Sequence, residues 1–218
     1  MRLSPTTRFE QELLAQGYPF VAGLDEVGRG PLAGPVVAAA VILPPGPKHP
    51  TLAGARDSKQ LSARQRERLD TAIRAVAIAV GLGEASVDEI DTFGILSATR
   101  LAMARAVAAL PVRPSFALID GRGLELRDLP SRCIVKGDAL CLSIAAASIV
   151  AKVARDSQMR EMDAIYPGYG FARHKGYGTA AHMERLAALG PSPVHRMSFA
   201  PVRRAAPRAY DTMRRVYS

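Results

Sequence analysis

A chain of 218 residues with 48% apolar side chains is long enough to bury a sizeable core and too apolar to be a disordered polymer. It contains no apolar run of the roughly 18 residues that a membrane-spanning helix needs. Its polar opening, MRLSPTTRFEQELL, lacks the apolar stretch of a secretory leader, so a cytoplasmic protein is expected. The formal charge of +9 points toward a polyanionic partner, nucleic acid first, although genome-wide arginine bias produces the same balance.

Residues 7–17 read as a short helix closed by Gly17. Val21–Asp25 and Pro35–Leu43 read as two apolar strands, close enough in sequence to form a hairpin. The prolines of LPPGPKHP (43–50) mark a loop. Ser62 opens a helix with Gln65 completing a capping box, and the pattern turns strand-like near Ala75. Ser86 and Glu89 form a second capping box. An amphipathic helix follows Gly94, with Leu96, Thr99, Met103, Val107 and Leu110 expected on its buried face. Ser115–Asp120 and Arg132–Lys136 are short apolar runs. Leu140–Ile165 reads as one long alanine-rich helix, and a last helix spans about 180–189 with Thr179 as its cap.

This order predicts an α/β fold: a mixed five-stranded sheet flanked by helices, with a helical C-terminal portion. No repeat or low-complexity block divides the chain. One domain over 1–218 is expected, with an N-terminal helix in 1–19 and a helical portion and tail from about 166 to 218. Cys133 and Cys141, eight residues apart, match neither a CxxC pair nor a zinc pattern and read as free thiols in a reducing compartment.

Acids stand at the ends of the predicted strands: Asp25 with Glu26, then Asp120, and Asp138 just past the last strand. Ligand and catalytic groups of α/β sheets gather there, on loops held by a rigid scaffold. Each acid taken alone reads more readily as a turn or cap carboxylate; it is the shared strand-end pattern of all four that points to a site. Four converging carboxylates repel one another unless cations sit among them, and hard divalent ions such as Mg²⁺ or Mn²⁺ suit oxygen ligands. Two such ions can activate a water and steady the leaving oxygen of a phosphodiester.

Phosphate-friendly elements surround these acids. Gly28-Arg29-Gly30 offers backbone N–H groups and a forked donor, or is simply a tight turn. Lys59 in RDSK lies before a helix, where it either meets a phosphate or is a solvated loop lysine. The segment FARHKGYG (171–178) mixes aromatic, basic and glycine residues. It could stack Tyr177 on a sugar or base while His174 and Lys175 meet phosphates, or be an ordinary basic loop. Ser148, Lys152 and Asp156 recur every four residues on the long helix and read as a solvated face with a Lys–Asp pair.

GLDEVGRGPLAGPVVAAAVIL, DSKQLS, LIDG, VKGD, SIAAASIVAKVARD, YPGYGFARHKGYGT and HRMSF, in this order, resemble the type 2 ribonucleases H, specifically the bacterial ribonuclease HII family, over nearly the whole chain. The resemblance implies an RNase H-like fold and a two-metal endonuclease, with Mn²⁺ or Mg²⁺ held by Asp25, Glu26, Asp120 and Asp138. It implies cleavage of the RNA strand of RNA–DNA hybrids and at ribonucleotides embedded in duplex DNA, leaving 5′-phosphate and 3′-hydroxyl ends. It assigns Gly28, Arg29 and Gly30 to the substrate loop, Tyr177 to the ribonucleotide junction and Lys59 to the lysine of DSK. Val27 stands where many relatives have alanine. The GRG loop, and the roughly twenty residues before the first strand, separate this chain from ribonuclease HIII. A monomer is expected. Some relatives end in a sliding-clamp motif, which the tail RRAAPRAYDTMRRVYS does not clearly resemble. Two rival readings are a nuclease of junction-resolvase or integrase type on a similar scaffold, and a non-catalytic RNA-binding protein. The first has no need of GRG and HKGY, and the second leaves the strand-end acids unexplained.

Overall fold

The computed structural model describes residues 4–46 and 49–206. Helix α1 (Arg8–Ala15) leads into strands β1 (Val21–Val27) and β2 (Val36–Ile42). Helix α2 (Ala63–Val76) follows two short 3₁₀ turns at Pro50–Leu52 and Ser58–Gln60, and precedes β3 (Ala79–Ala85). Then come α3 (Val87–Phe93), α4 (Ile95–Ala108), β4 (Phe116–Asp120) and β5 (Ser131–Ile134). The C-terminal part holds α5 (Gly137–Leu140), α6 (Leu142–Ile165), α7 (Phe171–His174), α8 (Ala180–Leu189) and α9 (Ala200–Ala205).

The five strands form one mixed sheet in the order β3-β2-β1-β4-β5. The β1–β2 hairpin and the β2–β3 pair are antiparallel, whereas β4 and β5 extend the other side in parallel with β1. Every residue of β2 is buried, as a continuous apolar strand covered on both faces must be. Strand alternation assigns the two faces. Ala38, Ala40 and Ile42 join the core under α4, while Ala39 and Val41 join the core under α6.

Close backbone approach sets both helix–sheet distances. A Cβ on Gly83 would stand 2.3 Å from the carbonyl oxygen of Ala102 in α4, and one on Gly23 would stand 2.2 Å from the carbonyl carbon of Ser143 in α6. The buried face of α4 is therefore its small side: Ala98, Thr99, Ala102, Met103 and Ala106 are buried. Leu96, expected on that face, is exposed. The glycines of β3 favour alanines over leucines at the contact.

Both capping boxes form as expected, Ser62 with Gln65 and Ser86 with Glu89. The helix expected over 140–165 is broken at Cys141, which is extended (φ −116°, ψ 125°). Thr6 pairs across the break, donating its N–H to Leu140 and accepting from Leu142. Glu10 of α1 supplies the missing cap, its Oε1 accepting from the Ser143 N–H at 2.9 Å and from the Cys141 thiol at 3.1 Å. The short helices α7 and α9 fall in the expected helical C-terminal portion but carry no sequence period that would place them individually. The far end of the C-terminal tail, residues 207–218, lies outside the described residues, as does part of the 43–50 loop.

Candidate active site

The parallel pairing of β1 with β4 aligns Leu24 with Ile119, so the next residues of the two strands are Asp25 and Asp120. Gly23 packs on α6 and Leu118 lies in the cluster with Ile144 of α6. By the two-residue period, both aspartates face that helix. Asp25 is 6% exposed, and its Oδ1 accepts from the Glu26 N–H at 2.7 Å. Asp120 Oδ1 accepts from the Gly137 N–H at 2.7 Å, which draws the start of α5, and with it Asp138, to the strand end.

The electrostatics show that these acids sense one another. Burial, then Glu26, then Asp120 raise Asp25 well above the ordinary carboxylate range, against the lowering effect of the Ser148 hydroxyl. Burial also raises Glu26, partly offset by Arg29, whose Nη1 stands 3.2 Å from Oε1. Asp138 is pushed up to about 6 by burial and by the charges of Asp120 and Asp57, with Lys59 opposing.

The donor set suits a hard divalent cation: carboxylate oxygens from two strand ends and a helix start, in an environment that penalises their unneutralised charge. Glu26 Oε2 is buried without a hydrogen-bond partner, and an oxygen so placed is costly unless a positive group meets it. Among the described residues no group of three or more His, Cys, Asp or Glu side chains is arranged to hold a metal ion. The fit therefore rests on donor chemistry and on the orphaned oxygen.

Beside the acids, residues 28–35 are clamped by two buried arginines. Arg196 donates Nη2 to the carbonyls of Gly28, Gly34 and Pro35, Nη1 to those of Arg29 and Pro31, and Nε to Gly34, at 2.6–3.2 Å. Arg155 donates to Pro35, Ala33 and Lys175, each at 3.0 Å. Both guanidiniums find only carbonyl oxygens, which matches their planar array of donors. Burial lowers them, Arg155 to about 10 and Arg196 to about 9, so both stay charged at neutral pH. Gly28 fits nothing larger: φ is +97°, and a Cβ there would stand 2.3 Å from Arg155 Nε.

The Tyr177 segment docks on this clamped loop. The Leu32 N–H donates to the Gly176 carbonyl at 2.8 Å, and a Cβ on Gly30 would stand 3.8 Å from Tyr177 Cε1. The Tyr177 ring is 40% exposed. Lys59 arrives on the Ser58–Gln60 turn, fastened where Ser148 Oγ donates to Ser58 Oγ at 3.0 Å. Burial alone would lower the Lys59 ammonium, but Asp57, Asp25, Asp138 and Tyr177 together raise it. Acids, GRG loop, Lys59 and Tyr177 thus gather around the C-terminal ends of the interior strands β1 and β4.

Residues 22–202 match the family model described as Ribonuclease HII. The chain belongs to the ribonuclease HII family. It is 52% identical over 198 residues to the ribonuclease HII of Chlamydia abortus, spanning 90% of this chain and 92% of that one. It is 56% identical over 184 residues to the ribonuclease HII of Nitrosococcus oceani, spanning 84% and 90%. Its fold is similar to the crystal structure of ribonuclease H2 from Pyrococcus horikoshii OT3, with TM-score 0.70 and 24% identity, covering 85% of this chain and 96% of that one. As a ribonuclease HII family member the chain is an enzyme, a ribonuclease H acting on RNA–DNA hybrids.

Within this family architecture, some expectations need correction. His174 was expected to meet phosphate, but its Nε2 faces the Tyr169 carbonyl at 2.8 Å and its Nδ1 accepts from the Gly176 N–H at 3.2 Å. Both ring nitrogens are spent on backbone. Lys175 directs its ammonium to the Ala172 carbonyl. The Ser148–Lys152–Asp156 stripe is no solvated face, since Ser148 and Asp156 are buried. Asp156 pairs with Lys152 at 2.6 Å and with Arg66 of α2 at 3.4 Å. Arg155 and Arg196 carry no signal of their own in the sequence, although both fall in the family-like strings VARD and HRMSF. Among the described residues no helix is long and apolar enough to cross a membrane.

Proposed function

We propose that this enzyme hydrolyses the RNA strand of RNA–DNA hybrids and also cuts at ribonucleotides embedded in duplex DNA, leaving 5′-phosphate and 3′-hydroxyl ends. The observation that carries the reading is the juxtaposition at the ends of β1 and β4: an exposed tyrosine beside Gly30 of the clamped GRG loop, next to buried strand-end acids. Asp25, Glu26, Asp120 and Asp138 are the ligands for two divalent ions, Mg²⁺ or Mn²⁺. When bound, those ions supply activation of the attacking water and neutralise charge on the phosphate and the leaving oxygen.

The chain's own groups do the selecting. Arg29 with its flanking glycine backbone, and Tyr177, meet the ribose whose 2′-hydroxyl separates RNA from DNA. Lys59 offers its ammonium to a phosphate. A water oxygen bonds to phosphorus as the bond from phosphorus to the 3′-oxygen breaks. The 3′-oxygen takes up a proton, leaving a 3′-hydroxyl, and the phosphate remains on the 5′ end. Along the rest of the duplex only phosphates are held, so binding weakens steeply with salt.

The deciding experiment uses a DNA duplex carrying one ribonucleotide. Cleavage by wild type with Mg²⁺ or Mn²⁺, and its loss in Asp25→Asn, supports the reading and removes a non-catalytic RNA-binding role. Preferential cutting of an all-DNA junction would overturn it in favour of a resolvase-type nuclease.

A further inference from the structure

Behind Tyr177 lies a buried group of imidazoles that neither the carboxylates nor the arginine clamp uses. His182 and His195 are 0% and 1% exposed. His182 stacks on His174 at 4.3 Å between centroids, and Phe171 meets its ring edge-on at 5.6 Å. His182 Nε2 lies 3.1 Å from His195 Nε2, and His182 Nδ1 lies 2.9 Å from the Tyr177 carbonyl oxygen. At the other end, the Ser192 N–H donates to His195 Nδ1 at 2.9 Å, with Ser192 Oγ 2.8 Å from the same nitrogen.

These partners leave one arrangement of protons. A backbone N–H only donates, so His195 Nδ1 accepts and Nε2 carries the hydrogen. That hydrogen points to His182 Nε2, which accepts, so the proton of His182 sits on Nδ1. A carbonyl only accepts, so His182 Nδ1–H donates to Tyr177. Deduction from the serine end and from the tyrosine end agrees. The relay is neutral throughout, consistent with burial lowering His182 and, with His182 beside it, taking His195 down to about 4.

The Tyr177 peptide has few other anchors. Its carbonyl also accepts from the Thr179 N–H at 2.8 Å, and its N–H donates to the His174 carbonyl at 3.0 Å. Gly178 follows directly, so without the imidazole donor the Tyr177–Gly178 peptide is freer to turn and carry the ring off Gly30. A stack of two imidazoles is an expensive way to fill a core that leucine would fill.

We propose that the Ser192–His195–His182 relay is a positioning device that holds the Tyr177 ring at the substrate junction. It thereby sets preference for an embedded ribonucleotide over a continuous hybrid. This rests on the assignment of Tyr177 as the junction reader. His182 and His195 act only through Tyr177 and are positioning residues.

The experiment measures kcat/KM on a single-ribonucleotide duplex and on a continuous RNA–DNA hybrid. In His182→Asn the amide nitrogen overlies Nδ1 and keeps the donor to Tyr177. In His182→Gln it overlies Nε2 and loses that donor. His182→Gln is expected to fall roughly 10- to 100-fold on the single-ribonucleotide duplex, the effect of misplacing a reading group by about 1 Å. It should change far less on the hybrid, and His182→Asn should stay near wild type on both. Adding His182→Gln to Tyr177→Ala should cost nothing further. Additive losses, equal losses in the Asn and Gln variants, or equal losses on both substrates overturn the relay while leaving the Tyr177 assignment standing. An unchanged Tyr177→Ala overturns that assignment and the relay with it. Where His182 variants do not fold, His195→Gln, which keeps the Nε2 donor, against His195→Asn, which loses it, makes the same comparison.

Discussion

Arg196 donates Nη2 to the Gly28 carbonyl at 2.6 Å, joining residues 168 apart in sequence. The same guanidinium reaches carbonyls along the loop as far as Pro35, so the GRG segment is shaped from inside by a charge near the C-terminal end of the described fold. Arg196→Met removes the guanidinium donor from the carbonyls of Gly28, Arg29, Pro31 and Gly34, while Pro35 keeps Arg155, at a cost of at least about 3 kcal/mol. The melting temperature should drop by on the order of 10 °C in calorimetry. Arg196→Lys should be nearly as harmful, because one ammonium cannot copy a planar fork. Calorimetric titration with Mn²⁺ should still find a site in any Arg196 variant that remains folded, since the acids stand on other elements.

Asp25→Asn separates stability from activity. The native environment raises the Asp25 carboxyl, first through burial and then through Glu26 and Asp120. A raised native value means that the ionised form opposes folding at neutral pH, and this opposition vanishes on acidification. The asparagine variant, melted without divalent ions, should therefore be more stable than wild type while its cleavage falls by about 10³-fold or more. A lower melting temperature would show that the carboxylate is a net structural partner.

Asp138, pushed up to about 6, predicts a proton count. Its contribution to stability is fully present below the ordinary aspartate value of 3.8 and is lost as pH rises through about 6. Cation binding competes with that proton. Mn²⁺ titrations at pH 5.5 in buffers of different ionisation enthalpy should show more proton release than at pH 7.5, and Asp138→Asn should remove the difference.

His195 behaves in the opposite sense. Its native value near 4 lies below the ordinary 6.5. The stabilisation it reflects is fully present above 6.5 and is lost as pH falls through about 4. A depression of that size corresponds to on the order of 3 kcal/mol. The NMR signal of the His195 ring should stay flat from pH 8 to pH 5. A midpoint near 6.5 would show that the ring is solvated.

Gly23→Ala tests the sheet–helix contact. The added carbon would stand 2.2 Å from the Ser143 carbonyl carbon and 2.4 Å from the Ile144 nitrogen, both backbone. Neither neighbour can rotate away, so a loss of roughly 3 kcal/mol, near the upper end of overpacking effects, is expected in chemical denaturation. The same change at Gly17, where nothing lies within 4 Å but φ is +92°, should cost less.

Features set by neighbours in sequence were legible in the sequence. The capping boxes at Ser62 and Ser86 are complete within four residues, and the strand-end position of Asp25 and Asp120 follows from the short apolar runs before them. The break at Cys141 was hidden because its cap, Glu10, lies 133 residues before Ser143. Arg155 and Arg196 look like any other arginines in a chain of 29 basic residues, since their targets are main-chain carbonyls that carry no sequence signal. His174 misled for a related reason: a histidine beside lysine and tyrosine resembles a phosphate contact until its backbone partners are seen. On and just after α4 the expected buried positions Thr99, Met103 and Leu110 are buried and Val107 packs against the same core, and only Leu96, at the first turn, is exposed.

The clamp also joins the two ends of the described fold, residue 196 to residues 28–35. The acids at 25, 26, 120 and 138 emerge from the ribosome well before Arg196, and domains gain structure from the N-terminal side as they are made. Until residue 196 has emerged, the 28–35 loop lacks the guanidinium that shapes it and the segment that ends at the tyrosine relay is incomplete. A chain ending before residue 196 would hold the four strand-end carboxylates without the guanidinium that clamps the 28–35 loop. The shape of the 28–35 loop thus depends on one of the last described residues of the chain.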